Sequence, residues 1–326
     1  MFSLVIPVYK NEANLPRLFT ELTALQSRLN DELEVVFVID GSPDRCEEII
    51  RQRLPALPFR CQLISLSRNF GSFSAVTAGV EHGLGEYFGV IAADLQEPPE
   101  LILRFSEALR SGEADIVFGV RASRSDPALS EVASTAFWWI YRRFVIHNMP
   151  RGGVDVFGFN VKVRDHLLKL HETTTNIVAL LLWLGFRRKF IPYNRRPRLE
   201  GRSAWTLAKK LRYSINSLFN FTDLPIRILL AIGIFGTTIA GVVGLTVLIF
   251  KVLGLIEVPG YAAIVLAIVF FGGVTTLGLG IIGQYLWLTL QNARNRPNFV
   301  VASVTQSGST GTPPEISAPV AGHTSE

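Results

Sequence analysis

Only two cysteines occur in the 326 residues, Cys46 and Cys61, and they form no CxxC pair. That provides no disulfide framework and reads as two reduced thiols of a cytosolic chain. Histidine is scarce too. The five histidines show no HExxH or finger spacing, and His166 and His171, five apart, fit neither, which argues against zinc. No GxGxxG follows the first apolar run and no GxxxxGK[ST] occurs anywhere, which argues against a dinucleotide Rossmann site and a P-loop. The N-terminus lacks a basic n-region and Pro7 interrupts it early, so it reads as a strand rather than a signal peptide. No repeat of solenoid period is found. Charge is missing from one region: between residues 226 and 290 only Arg227, Lys251 and Glu257 carry any. The chain as a whole has net charge +5 and mean hydropathy +0.32, too apolar for an ordinary soluble protein, and this region holds the surplus. The length allows one sizeable domain and a membrane portion.

What is present in the first half is alternation. Apolar runs at 2–6, 34–39, 62–66, 87–92 and 115–120 read as buried strands. Between them, helical spacing predicts helices over 14–29, 45–53, 74–83 and 100–109. Asn14 is a candidate cap with Pro16 in its first turn, and Pro99 suits the first turn of the last of these helices. Strands alternating with helices over this length predict an α/β domain with a mostly parallel sheet. Further on, residues 132–147 read as a helix carrying Arg142 and Arg143, two solvated arginines. Residues 152–160 read as a Gly-rich turn into a strand, 176–184 as an apolar helix, and 188–193 as a last strand.

The strand ends carry the polar residues. In order they are Tyr9, Lys10, Asn11 and Glu12; Asp40 and Asp44; Arg68 and Asn69; Asp94 and Gln96; Arg121 and Arg124. In an open α/β sheet, ligands bind beyond the carboxyl ends of the strands. Asp94 and Gln96 have hard-cation ligand spacing, and the same pattern equally describes a helix cap in a solvated loop. Asp155 could face a sugar or cap its turn. Five ends mixing acids, amides and arginines on one edge point to a polyanion site with a metal.

Residues 194–202 form a basic loop, and 205–221 an amphipathic segment read as an interfacial helix on anionic lipid. Residues 226–250 and 261–290 each exceed the roughly 20 residues needed to cross a bilayer, and their short connection makes a hairpin. Lys209, Lys210, Arg212 and Arg227 precede the first span, and Arg294 and Arg296 follow the second. The positive-inside rule therefore places the N-terminal domain and the C-terminus in the cytoplasm, in a multi-pass protein of the inner (plasma) membrane. Small-xxx-small spacings at Ala240/Gly244 and Thr276/Gly280 hint at helix association and a homo-oligomer. The expected division is 1–202, 203–224, 225–292 and 293–326. The tail from Ser303, rich in Ser, Thr, Pro and Gly, is expected to be disordered.

Pro7-Val8-Tyr9 with Glu12, Asp40-Gly41-Ser42, Arg68-Asn69-Phe70-Gly71, the stretch from Ala93 through Asp94-Leu95-Gln96-Glu97-Pro98-Pro99-Glu100, and Arg121 resemble family 2 glycosyltransferases. The likeness is greatest to polyprenyl-phosphate glycosyltransferases, the dolichol-phosphate mannose synthase relatives and bacterial undecaprenyl-phosphate sugar transferases. It covers residues 2–297 and includes Gly201 to Trp205 and Leu224-Pro225-Ile226-Arg227. The resemblance implies a GT-A fold, Mg²⁺ or Mn²⁺, and inverting transfer from a nucleotide-sugar to a polyprenyl phosphate, with no nucleic-acid partner. It implies that Pro7, Tyr9, Glu12, Asp40 and Arg68 hold the nucleotide-sugar and that Asp94 and Gln96 bind the metal. Arg121 and Arg124 would face phosphates, Arg202 and Ser203 the acceptor phosphate, and Asp94, Arg121, Arg124 and Asp155 would be the catalytic set. On the resemblance, the donor expectation is UDP and a hexose such as glucose.

Two positions depart from the family pattern. Ala92 stands where an acid usually completes D-x-D, and Ala204 follows Ser203 where lysine is frequent. Two rival readings follow. A processive polysaccharide synthase would carry Q-x-x-R-W, which is absent. A non-catalytic membrane protein that binds nucleotide-sugars would tolerate Ala92.

Overall fold

The computed structural model describes residues 1–29, 32–122, 150, 154, 156–170, 177–196, 224–253, 261–294 and 296–307. Eight strands form one sheet: β1 (Phe2–Val8), β2 (Leu33–Ile39), β3 (Arg60–Leu66), β4 (Tyr87–Val90), β5 (Ile116–Arg121), β6 (Val156–Asn160), β7 (Arg188–Tyr193) and β8 (Val301–Gln306). Their order is β7-β5-β6-β4-β1-β2-β3-β8. Four neighbouring pairs are parallel (β1 with β2 and β4, β2 with β3, β5 with β7) and three are antiparallel (β4 with β6, β5 with β6, β3 with β8). Since β6 runs against both β4 and β5, strands β1 to β5 and β7 share one direction.

Helices cover both faces, which is why the central strands read as unbroken apolar runs. Phe2, Leu4, Ile6 and Val8 of β1 pack on one side with α1 (Leu15–Arg28), α2 (Cys46–Arg53) and α4 (Glu100–Arg110). Val5, Val36 and Val38 pack on the other with α3 (Ser72–His82), α5 (Val161–Leu167) and α6 (Ile177–Trp183). Alternate residues of a strand feed opposite faces, so each strand stitches two cores together. Helix α1 buries Leu15, Leu18, Phe19, Leu22 and Leu25, the spacing that predicts it. Asn14 makes no side-chain cap there, because a 3₁₀ turn at Glu12–Asn14 already brings the chain in helically. Helix α5 was not legible in the apolar pattern. It is capped by Asn160, whose Oδ1 accepts from the Val163 amide at 3.1 Å.

Three expectations change. β4 ends at Val90, two residues earlier than the apolar run. The strand at 188–193 is not the last. Residues 301–306, where the expected disordered tail begins, form β8, an antiparallel edge strand on β3 with Ile64 opposite Val304. The segment VASVTQ alternates more and less covered positions along an edge, and pairing with β3 supplies the backbone partners that composition does not reveal. The expected helix at 132–147, the basic loop beyond residue 196 and the amphipathic segment at 205–221 lie outside the described residues.

Two long helices follow, α7 (Leu224–Val252) and α8 (Tyr261–Ala293). They expose large apolar side chains, among them Leu230, Phe235, Val242, Phe270, Leu279 and Trp287. Among the described residues one stretch, Phe270–Gln291, is long and apolar enough to cross a membrane, and Ile226–Gly236 is a shorter apolar helix. The two-span hairpin is therefore supported in one of its two members.

Candidate functional site

The shared strand direction brings the carboxyl ends of β1 to β5 and β7 to one edge. Each end there is held by the next. After β1, the chain turns through Lys10, which has φ of +57° and donates its amide to Ser42 Oγ at 2.8 Å. Ser42 Oγ in turn donates to Asp44 Oδ1 at 2.6 Å. Glu12 accepts from Arg45 Nη2 at 2.7 Å and Nε at 3.1 Å, and this guanidinium holds its carboxyl below the ordinary value. Burial alone would raise Asp44, but hydrogen bonds from Ser42, Cys46 and the Glu12 amide outweigh it and lower its pKa. Pro7 and Tyr9 are half-buried beside this turn. Cys46 is buried and its thiol is pushed up to about 12, first by burial and then by Asp44. It stays a protonated packing residue rather than a nucleophile.

Asp40 ends β2 almost fully buried. Its Oδ1 accepts from the Phe70 amide at 2.7 Å and its Oδ2 from the Gly71 amide at 3.0 Å. Burial raises its pKa, partly offset by those two amides. Both oxygens thus brace the Arg68–Gly71 loop at the start of α3. Asn69 Nδ2 closes the loop on Asp40 O at 3.1 Å, and Arg68 lies over the Phe70 ring at 4.0 Å. Gly41 permits this approach. Its φ is +57°, and a Cβ there would lie 2.4 Å from Arg68 C and Asn69 N.

The loop after β4 is wound tightly. Leu95 is buried with φ of +56°, a conformation rare for a leucine. Asp94 Oδ1 accepts from the Gln96 amide at 3.3 Å across it. The Asx-type turn and the ligand spacing are therefore the same three residues. Strain of this kind, roughly 1–3 kcal/mol, persists where the surroundings over-determine it and clusters at functional sites. Asp94 is half-buried and Ala92 is exposed. Gln96 is nearly buried, and its Oε1 accepts from Arg195 Nη2 at 2.7 Å. Arg195 and Arg196, just past β7, contact this loop and are candidate site residues that the strand-end reading missed. The signal was the basic run after Tyr193. Arg121 ends β5 half-buried, and the next amide, Ala122 N, donates to Tyr193 O at 2.9 Å.

The sheet edge therefore gathers Pro7, Tyr9, Glu12, Asp40, Arg68, Asp94, Gln96 and Arg121. Arg124, Asp155, Arg202 and Ser203 lie outside the described residues. Among the described residues, no group of three or more His, Cys, Asp or Glu side chains forms a metal cage. One carboxylate completed by substrate phosphates still fits Mg²⁺ chemistry, and Asp94, in the loop after β4, would provide that carboxylate.

Comparison with known sequences fits this arrangement. The Glycosyl transferase family 2 profile matches residues 3–163, the span from β1 into α5. An uncharacterised glycosyltransferase of Synechocystis sp. is 32% identical over 306 residues, covering 93% of this chain and 95% of that one. The chain belongs to glycosyltransferase family 2. A second relative, the uncharacterised glycosyltransferase YkcC of Bacillus subtilis, is 30% identical over 301 residues, covering 92% and 93% of the two chains. The bactoprenol glucosyl transferase of Shigella phage SfII is 29% identical over 300 residues, covering 92% of this chain and 96% of its own. These matches run past the sheet domain into the C-terminal helices. This family 2 member is a glycosyltransferase with the mostly parallel α/β sheet of the GT-A class.

Proposed function

We propose that this glycosyltransferase moves a hexose from a nucleotide-sugar, UDP-glucose being the leading donor, to polyprenyl phosphate (undecaprenyl phosphate in a bacterium) at the cytoplasmic face of the plasma membrane, for cell-surface glycan synthesis. The observation that carries the reading is the sheet edge. The acid loop at Asp94, Arg121 and the braced Arg68 loop lie along that one edge, in a chain that also carries two apolar helices. A water-soluble anionic donor enters from one side and a lipid-borne acceptor from the other. The likeness to a bactoprenol glucosyl transferase supports the same acceptor class.

A phosphate acceptor simplifies the chemistry. A sugar hydroxyl needs a general base, whereas a phosphate oxyanion is ionised at neutral pH and needs placement and charge relief. The acceptor oxygen forms a bond to the anomeric carbon as the bond from that carbon to the diphosphate oxygen breaks, with inversion. Tyr9, Glu12, Asp40 and the Arg68 loop are assigned to the nucleotide end. Arg121 is assigned to phosphate charge, with Arg124, Arg202 and Ser203 on the acceptor side and Asp155 toward the sugar. Asp94 would hold Mg²⁺ or Mn²⁺, which supplies charge relief on the leaving nucleoside diphosphate.

One observation favours a second reading, a nucleotide-sugar-binding protein without transfer: Ala92 is exposed where the family usually has an acid. A donor panel separates the two. Purified protein with Mn²⁺, undecaprenyl phosphate and UDP- or GDP-sugars is expected to give a lipid-linked sugar of inverted anomeric configuration. Binding of donor with no lipid product from any of them supports the second reading. A retained anomer contradicts direct displacement.

A further inference from the structure

The left-handed turn at Leu95 is crossed by the Asp94–Gln96 bond and is also held from outside. The partner is a segment about a hundred residues away in sequence. Arg196 N donates to Gln96 O at 2.8 Å and Gln96 Nε2 to Arg196 O at 3.4 Å, while Arg195 Nη2 donates to Gln96 Oε1 at 2.7 Å. Arg195 Nε also lies 3.9 Å from Glu97 Oε1, a carboxylate with 2% exposure. A guanidinium suits this place: one nitrogen hydrogen-bonds Gln96 while the same group stays within ion-pair range of the buried Glu97 carboxylate, which keeps a counter-charge. The same strand end, at Tyr193, binds the backbone that follows Arg121. One short segment therefore fixes the Asp94 loop and the Arg121 end relative to each other.

We propose that Arg195 is a positioning residue of the donor site. By holding the Gln96 amide and the Glu97 carboxylate at the end of β7, it fixes the turn that presents Asp94 to the metal–diphosphate. Gln96 and Arg195 act in this as one unit. The proposal rests on the metal-dependent reading of Asp94 and deepens it.

The test is Mn²⁺ binding to the full-length protein in detergent with UDP present, read as loss of the free Mn²⁺ electron-paramagnetic signal. Arg195→Lys keeps a charge beside Glu97, and Gln96→Ala leaves Arg195 and Glu97 paired, so neither removes the buried counter-charge. Each is expected to weaken Mn²⁺·UDP binding by about tenfold, as is usual when a supporting partner of a metal ligand is lost. The double variant is expected to be no weaker than the poorer single, because the two side chains form one interaction. Losses that multiply, or a Gln96→Ala loss alongside wild-type or tighter binding in Arg195→Lys, mark Gln96 as an independent ligand and overturn the proposal. Asp94→Ala separates the levels. If it abolishes Mn²⁺·UDP binding while Arg195→Lys changes nothing, only the role of Arg195 falls. If Asp94→Ala keeps wild-type binding, the metal reading falls and this inference with it.

Discussion

Gly41 and Gly112 both have positive φ, +57° and +70°, but they differ in surroundings. A Cβ at Gly112 meets nothing within 4 Å, whereas one at Gly41 would lie 2.4 Å from the Arg68–Asn69 backbone. Alanine pays about 1–2 kcal/mol for the left-handed conformation at either site. At Gly41 it must also push apart the two strand ends that Asp40 braces. Gly41→Ala is therefore expected to lower the thermal midpoint by several degrees more than Gly112→Ala, and to weaken UDP binding, which Gly112→Ala leaves intact. Equal midpoints would show that the close approach relaxes freely. Asp115 offers a pH test away from the site. Arg187 donates to its carboxyl at 3.0 and 3.2 Å and Asn160 at 3.0 Å. These bonds, that from Arg187 foremost, hold its pKa below the ordinary 3.8. A depressed carboxyl contributes stability that is present above the unfolded value and lost as pH falls through the folded one. Asp115→Asn is expected to be less stable at neutral pH and to show a flatter loss of stability below pH 4 in chemical denaturation. A parallel curve would contradict the assignment.

At the level of elements, the strands and helices of the first 121 residues were legible because most have a periodic or continuous apolar pattern. Leu15 to Leu25 gave α1, and the two-faced burial of Val35 to Val38 gave β2. The strand ends named most of the residues gathered at the candidate edge for the same topological reason. What the sequence withheld was long-range pairing. β8 is short, mixes Val301, Ala302 and Val304 with Ser303, Thr305 and Gln306, and follows the apolar helices, so nothing local shows that it returns to the sheet. Nor does spacing reveal that Gln96 is gripped by Arg195. The consequence of β8 is testable. It covers the β3 edge, with Ser67 N donating to Val300 O at 2.9 Å and Ser307 N to Cys61 O at 2.9 Å. Truncation after Val300 is expected to uncover that edge, speed hydrogen exchange at the Arg60–Ser67 amides by at least about tenfold, and promote self-association on size-exclusion chromatography. Unchanged exchange would mean that β8 adds nothing to the edge.

For the whole molecule, a sheet domain with a polyanion-suited edge is joined to two helices whose apolar side chains face outward. Exposed apolar surface on this scale marks a partner or a membrane. The reading of a hairpin with a cytoplasmic domain predicts that the protein fractionates with membranes and leaves them only with detergent, not with high salt or carbonate. It also predicts that a cysteine placed at Pro259, between α7 and α8, is labelled from outside intact spheroplasts by an impermeant thiol reagent, while one placed at Ser307 is not. The reverse pattern would invert the topology. The central claim is that Asp94 equips a membrane-bound glycosyltransferase to act on a lipid phosphate. Its most direct measurement is the yield of lipid-linked sugar from labelled UDP-glucose and undecaprenyl phosphate with Mn²⁺, compared between wild type and Asp94→Ala of equal thermal midpoint. The account predicts product from wild type that EDTA abolishes and a fall of at least about a hundredfold in Asp94→Ala, the scale of losing a principal electrostatic contact. Product from Asp94→Ala at the wild-type rate would contradict it.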